Sequence, residues 1–189
     1  WRSRPSRTNC SKNSFVNIAH FDCHAGASGN MVLGALLDAG LNKEHLLTEL
    51  RKLDLPPWEM VDERTTRGPL SARFVDFKIE GQTGHHFYRG IDKTIASADL
   101  RTNVRTASRE LFRRLAEAEA AVHGTTENEV EFHEVGAADA VLDIVGAMVA
   151  IDLLSIDSVT VSPINTGSGT VMTAHGRLPI PAPATARLL

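Results

Sequence analysis

Residues 130–154 constrain the fold more than any other stretch, because this most apolar long run also carries several ionisable side chains at or near its start. From residue 137 onward nearly every position holds a small or aliphatic residue, which predicts a buried helix over residues 137–154. We expect a single α/β domain in which helices pack on a mixed β-sheet around this central helix.

Four of the ionisable side chains in this stretch are candidates for one cluster: His133, Glu134, Asp139 and Asp143. Asp139 and Asp143 are four residues apart, so a helix would place them on one face, one turn from each other. Residues 130–133 alternate and predict a short strand, whose end would face the first turn of the helix. Ionised carboxylates that are buried together repel each other and lose hydration, and a divalent cation would offset both effects. We therefore predict a cation site.

Each of these residues also has an ordinary structural explanation. Asp139 near a helix N-terminus interacts favourably with the helix dipole without any metal. His133 would be satisfied by pairing with Glu134, and Asp143 by pairing with an arginine on the neighbouring helix. The arginine candidates are Arg105 and Arg109.

A second candidate site is a glycine-containing loop near the start of the chain. Residues 15–23 predict a strand, and a loop of small residues joins it to a helix predicted at 31–39. Backbone N–H groups at Gly26, Ser28 and Gly29 would point at a phosphate there. The loop has neither the lysine of a P-loop nor the spacing of a dinucleotide fold. The alternative is a tight turn with Ser28 as the helix N-cap.

The remaining pattern predicts further helices and strands around these two sites. Helices are predicted at 43–53 and 103–122, and strands at 58–66, 71–80 and 158–162, followed by a second glycine loop and a hairpin. The helix at 103–122 is amphipathic, and we expect its arginines to face solvent and pair with glutamates. Its predicted buried stripe comprises Val104, Ala107, Leu111, Leu115, Ala118 and Val122.

Composition narrows the classes of function. The net charge of −3 gives no electrostatic argument for nucleic-acid binding. No apolar run is long enough to span a membrane without a charge, and no signal peptide is visible. Two cysteines, Cys10 and Cys23, form no disulfide framework and suit a reducing cytoplasm. We expect residues 1–14 to be a disordered or non-domain tail and residues 15–189 to form the domain.

Other possible metal ligands are scattered along the sequence. His85 and His86 are adjacent, so their side chains would point in different directions, and as a pair they are a weak metal signal. His175 lies at the far end of the predicted hairpin. Asp22 and Cys23 end the first strand, where Cys23 is either a soft metal ligand or an inert buried thiol.

Four segments together resemble one known family. They are F-D-C-H-A-G-A-S-G-N-M (21–31), H-H-F-Y-R-G-I (85–91), F-H-E-V-G-A-A-D-A-V-L-D-I-V-G-A (132–147), and S-P-I-N-T-G-S-G-T-V with A-H-G-R-L-P-I-P-A-P-A-T (162–185). They resemble, in the same order, the nickel-insertion proteins that mature the nickel-pincer nucleotide cofactor of lactate racemase. The resemblance covers the amino-terminal part of that family, whose members continue into a carboxy-terminal domain that binds CTP.

The resemblance implies an activity and its partners. It implies a nickel-inserting lyase that places Ni(II) in pyridinium-3,5-bisthiocarboxylic acid mononucleotide and consumes CTP, with Mn(II) or Mg(II) assisting. The implied partners are that substrate, the carboxy-terminal domain and the lactate racemase apoenzyme. The family usually has Asp where this chain has Asn30, which removes a charge, and an aromatic residue where it has His24.

These arguments give two sets of candidate site residues. The candidate metal ligands are His133, Glu134, Asp139, Asp143, His85, His86, His175 and Asp22. The candidate substrate-binding residues are Cys23, Gly26, Ser28, Gly29 and Asn30.

Residue spacing alone does not select nickel over zinc, manganese or magnesium. Two other functions therefore stay open: a phosphohydrolase or nucleotide-binding enzyme that uses Mg or Mn, and a non-catalytic metal-binding module. Oxygen-rich sites favour Mg or Mn, whereas histidine and cysteine ligands favour Ni.

Overall fold

The computed structural model describes residues 16–81, 86–132, 138–173 and 176–189. The helices in these ranges are α1 (Gly29–Asp38), α2 (Lys43–Leu50), α3 (Tyr88–Ser97), α4 (Thr102–His123), α5 (Ala138–Leu153) and α6 (Pro183–Leu188). The strands are β1 (Ile18–Phe21), β2 (Trp58–Arg67), β3 (Leu70–Ile79), β4 (His86–Phe87), β5 (Glu131–Phe132), β6 (Ser158–Val161), β7 (Thr170–Thr173) and β8 (Gly176–Pro179). Within the described ranges, no helix has the length and apolar character needed to cross a membrane.

Helix α5 is the centre of the core, as the sequence predicts. Within α5 only Asp139 is exposed, and α1, α2 and α4 all pack against it. Small residues permit this close packing: a Cβ added at Gly146 would lie 3.2 Å from a methyl group of Leu33 on α1. The α/β class and the buried central helix are both confirmed.

The buried stripe of helix α4 differs in part from the predicted one, of which Val104 and Ala118 are buried. Its buried residues are Val104, Ser108, Phe112, Ala116, Ala118 and Ala120. Two residues of the predicted stripe, Leu111 and Val122, are instead substantially exposed. The reason is size, because serine and alanine let the helices approach closely and Phe112 fills the remaining space beside Phe132. The expected pairing with glutamates is confirmed for Arg113 and Arg114. Arg109 instead pairs with Asp92 on α3, and Arg105 donates to backbone carbonyl oxygens.

The strands occur as both parallel and antiparallel pairs. Strands β2 and β3 form the predicted hairpin, with ten pairs in register and Gly68 at φ +57° in the turn. Strands β1 and β6 are parallel, while β4 with β5 and β7 with β8 are antiparallel. Among the described residues these pairs form four separate two-stranded sheets. The parallel pair matters most for function, because it brings two distant loops together.

An ion cluster fastens the β2–β3 hairpin to the helices. Arg73 donates to both carboxylate oxygens of Asp62, at 2.5 and 2.7 Å, and also contacts the carbonyl oxygen of Leu37. Lys43, at the start of α2, lies 3.1 Å from the same carboxylate. The hydrogen bond from Arg73 is the largest effect that lowers the pKa of Asp62, which falls to about 2 although burial opposes it.

Replacing Asp62 with Asn tests this cluster. The variant leaves Arg73 without its carboxylate, so we expect the free energy of unfolding to fall by about 3 kcal/mol at pH 7. The folded pKa of Asp62 lies below its ordinary value of 3.8, so its contribution is present above pH 3.8 and is lost as the pH falls towards 2. Urea unfolding across this range measures the difference.

The control is Glu110→Gln on the solvated face of α4, where we expect a change within about 0.5 kcal/mol. Equal effects of the two substitutions would contradict a special role for the Asp62 cluster.

Candidate metal and substrate site

Two loops meet at one end of the parallel β1–β6 pair. Because the strands are parallel, their carboxyl ends lie together, and residues 22–28 adjoin residues 162–169. The backbone N–H of Asn165 donates to the carbonyl oxygen of Cys23, at 3.2 Å, and its side-chain amide donates to that of His24, at 3.1 Å. The N–H of Cys23 donates to the hydroxyl of Ser162, at 2.8 Å. The two loops therefore form one fixed unit.

The first glycine loop uses part of its own hydrogen-bonding capacity. Gly26 has φ +90°, and its N–H donates to the carbonyl oxygen of Cys23 at 2.9 Å, so this group is already engaged. Ser28 occupies the N-cap position of α1 without capping it, because its hydroxyl donates to the side chain of Asn30. The expected N–H groups aimed at a phosphate are therefore not all free.

The N-terminus of α1 faces a carboxylate from α5. A Cβ added at Gly29 would lie 2.5 Å from both Cβ and Oδ2 of Asp143. The backbone N–H of Asn30 also donates to Asp143, which lowers the pKa of that carboxyl group. The missing side chain of Gly29 is thus what lets Asp143 approach the helix end.

Asp143 is a half-buried acid that the protein does not fully satisfy. Its pKa is raised to about 6, first by burial and then by the negative charges of Asp139 and Asp76. Its Oδ1 is buried and has no hydrogen-bond partner among the described residues. An added proton or a cation would relieve both conditions.

Neither candidate arginine neutralises this acid. Arg109 forms a two-pronged pair with Asp92, at 2.7 and 2.9 Å. Arg105 donates to backbone carbonyl oxygens at the end of α3 and in the segment after it. Asp139 is exposed and accepts a hydrogen bond from the N–H of Ala140 in the first turn of α5, which fits the favourable helix-start position.

The structure brings together only some of the predicted metal ligands. His133, Glu134, His85 and His175, and the side chain of His86, lie outside the described residues. Asp22 accepts a hydrogen bond from Ser162 and lies 3.6 Å from His24, with both side chains mostly exposed. Within the described ranges, no group of three histidine, cysteine or acidic residues has the arrangement of a metal site. The hypothesis therefore requires His133 and Glu134.

Cys23 is buried, and its thiol donates weakly to the carbonyl oxygen of Phe21 at 3.8 Å. Burial favours the inert structural role over the nickel-ligand role, because reactive cysteines are at least partly exposed.

Three functional-site residues were absent from the sequence-based sets. Asp76 on β3 adds a third negative charge near Asp143, and no local pattern marks it. Ser162 and Asn165 join the two loops. Their position was the available signal, since Ser162 ends a predicted strand and Asn165 lies in the second glycine loop that follows it.

Comparison with known proteins identifies the family of the chain. A family model described as nickel insertion protein matches residues 19–189. The chain belongs to the nickel insertion protein family. A relative from Pelobacter propionicus, named for nickel insertion, is 50% identical over 92% of this chain and 45% of its own length. Relatives so named from Geotalea daltonii and Roseiflexus castenholzii are 44% and 46% identical, over 92% and 91% of the chain and 45% and 44% of their own lengths.

Membership of this family supports a role in nickel insertion. The chain spans a little less than half the length of the curated relatives it matches. No solved structure matches it.

Asp143→Asn tests the electrostatic state of the site in the metal-free protein. The folded pKa, about 6, lies above the ordinary 3.8, so ionised Asp143 destabilises the fold progressively from pH 3.8 and fully above pH 6. In the presence of EDTA at pH 7, we expect the free energy of unfolding of the variant to exceed that of the original protein by about 2 kcal/mol. At pH 3.5 the two proteins should be equally stable. Lower stability of the variant at pH 7 would show that the carboxylate is already well paired. Asp139→Asn, at an exposed position, should have a smaller effect.

Gly29→Ala tests the close contact between α1 and α5. The new Cβ would overlap Asp143, so we expect a loss of about 2 kcal/mol in the free energy of unfolding. Gly90→Ala is the matched control, because its Cβ would meet nothing within 4 Å inside helix α3, and it should be neutral or stabilising.

The double variant with Asp143→Gly removes the atoms that the new methyl group would meet. In the Asp143→Gly protein, Gly29→Ala should lower the free energy of unfolding only slightly. An equally large loss in both proteins would show that the new methyl group does not clash with Asp143.

Proposed function

We propose that this chain is the amino-terminal part of a nickel chelatase. It inserts Ni(II) into pyridinium-3,5-bisthiocarboxylic acid mononucleotide, a lyase-type reaction in the cytoplasm. CTP, with Mn(II) or Mg(II), is used by the carboxy-terminal domain, and the product serves lactate racemase. The observation that carries the proposal is the family match over residues 19–189.

The local chemistry supports cation capture beside α5. Asp143 supplies a buried oxygen without a described hydrogen-bond partner, and Asp139 and Asp76 increase the negative potential around it. His133 and Glu134 would complete the ligand set from the segment that precedes α5. Because a pKa of about 6 leaves Asp143 partly protonated near neutral pH, nickel binding would displace a proton.

Such a site suits delivery of a metal ion better than its storage. Carboxylates are hard ligands that hold nickel less firmly than sulfur donors do. The thiocarboxylate groups of the substrate would therefore draw the ion away from Asp139 and Asp143 once both are bound close together. The fixed pair of glycine loops, with Asn30 and Gly29 at the start of α1, would hold the nucleotide.

A second candidate function is favoured by one observation. The ionisable groups that the structure places around Asp143, namely Asp139 and Asp76, all offer oxygen. Oxygen ligands favour Mg or Mn, which would activate water in a phosphohydrolase or nucleotide-binding enzyme.

Titration with metal ions distinguishes these functions. We expect calorimetry to show that Ni(II) binds more tightly than Mn(II) or Mg(II), and that Asp143→Asn weakens Ni(II) binding by at least about tenfold. A chelator should then lower the melting temperature of the unsubstituted protein purified with nickel.

Arg105→Ala and Arg109→Ala are the controls, since both arginines contact groups away from Asp143, and they should leave nickel affinity unchanged. Tighter binding of Mn(II) than Ni(II), together with hydrolysis of a phosphate ester, would favour the second candidate instead. Unchanged nickel affinity in Asp143→Asn would show that nickel does not bind at the α5 carboxylates.

A further inference from the structure

A cavity of about 460 Å³ opens between α4 and α6. Its volume is in the range of small-molecule sites. The lining residues are Arg113, Arg114, Glu117, Ala118, Arg187 and Leu188. Half of them are arginines, so the chemistry of this cavity depends on how far the guanidinium groups are already paired.

Two glutamates hold the arginines of α4 in place. Arg113 donates to both carboxylate oxygens of Glu110, at 2.8 and 2.9 Å, and also to Glu117. Arg114 donates to Glu110 as well, at 2.9 Å. The hydrogen bonds from Arg113 and then Arg114 lower the pKa of Glu110 to about 2, so this carboxylate stays ionised at neutral pH. Side chains fixed in this way lose less entropy when a ligand binds.

Arg187 is the arginine whose charge is left over. It lies in the last turn of α6, where its charge interacts favourably with the helix dipole. That interaction does not use its N–H groups, and its side chain forms no hydrogen bond or ion pair with the residues that the structure describes. Three positive groups therefore stand against two negative ones, Glu110 and Glu117, and the cavity keeps an excess of positive charge.

The free N–H groups fit a phosphate better than a carboxylate. Each guanidinium group carries five N–H donors, of which Arg113 uses three, Arg114 one and Arg187 none within the described ranges. A carboxylate has two oxygens, and a single guanidinium group satisfies both with two parallel hydrogen bonds. A phosphate group has three terminal oxygens and close to two negative charges, so it uses donors from several arginines at once.

We propose that this cavity binds the phosphate group of a small molecule, with Arg187 and Arg114 as its main hydrogen-bond donors. Inorganic phosphate, a diphosphate and a phosphate ester share this chemistry, and the choice of probes below distinguishes them.

The site is separate from the one in the proposed function. Thr185 on α6 and Leu189 after it line another cavity, of about 490 Å³, whose other walls come from the two glycine loops. Arg187 and Leu188 line the cavity against α4 instead. Helix α6 thus lies between the two cavities, and the inference does not depend on nickel binding beside α5.

Arg187→Gln tests the phosphate site, because it removes the unpaired charge without breaking a contact between described residues. The probes are inorganic phosphate, pyrophosphate and ribose 5-phosphate, with acetate as the carboxylate, all titrated calorimetrically at one ionic strength. We expect at least one phosphate probe to bind at least about tenfold more tightly than acetate, and Arg187→Gln to weaken its binding by at least about tenfold. The probe that binds most tightly identifies the class of ligand.

Arg51→Gln is the matched control. Arg51 ends α2, is exposed like Arg187, forms no hydrogen bond or ion pair through its side chain with the described residues, and does not line the cavity. The same loss of charge there should change the affinity by less than about twofold, because distant exposed charges are screened by salt. Arg114→Gln is a second variant at the site and should also weaken binding. An unchanged melting temperature of Arg187→Gln checks that the fold is retained.

Three results would overturn the inference. The first is that no phosphate probe binds more tightly than acetate, and the second is unchanged binding by both Arg187→Gln and Arg114→Gln. The third is an equal loss of affinity in Arg187→Gln and Arg51→Gln, which would show a general attraction of anions to the protein rather than a site.

Discussion

The contact between Asp143 and the glycine at the start of α1 is the constraint on which the site depends. Any side chain at residue 29 would overlap the carboxylate, since a Cβ there would lie 2.5 Å from it. The contact sets how closely α1 approaches α5, and so where the first glycine loop emerges. The packing of α5 against α1 therefore also sets the position of the first glycine loop.

The same contact shows which electrostatic effect dominates. The N-terminus of α1 stabilises the ionised carboxylate, and such helix-end interactions contribute about 0.3–1 kcal/mol. The pKa of Asp143 nevertheless rises from 3.8 to about 6, a shift that corresponds to about 3 kcal/mol. Burial and the neighbouring acids thus outweigh the helix end. A divalent cation would reverse this balance, because it attracts all three carboxylates at once.

The sequence pattern predicted correctly those features that depend only on residues close together in the chain. The run of small residues identified α5, the residues around Gly68 identified the hairpin, and four-residue spacing correctly put Asp139 beside Asp143. The same reasoning misplaced part of the stripe of α4, namely Leu111 and Val122, because apolar character was weighed above size. Ser108 is fully buried there although it is polar, since a small side chain is what close helix packing requires.

The rest of the site depends on contacts between distant parts of the chain, which no local pattern contains. Ser162 meets Cys23, and Asn165 meets His24, about 140 residues away in sequence, only because β1 and β6 pair in parallel. That pairing also explains why residues of both glycine loops line one cavity. A parallel pair has one carboxyl end, so loops that follow its two strands lie at the same edge.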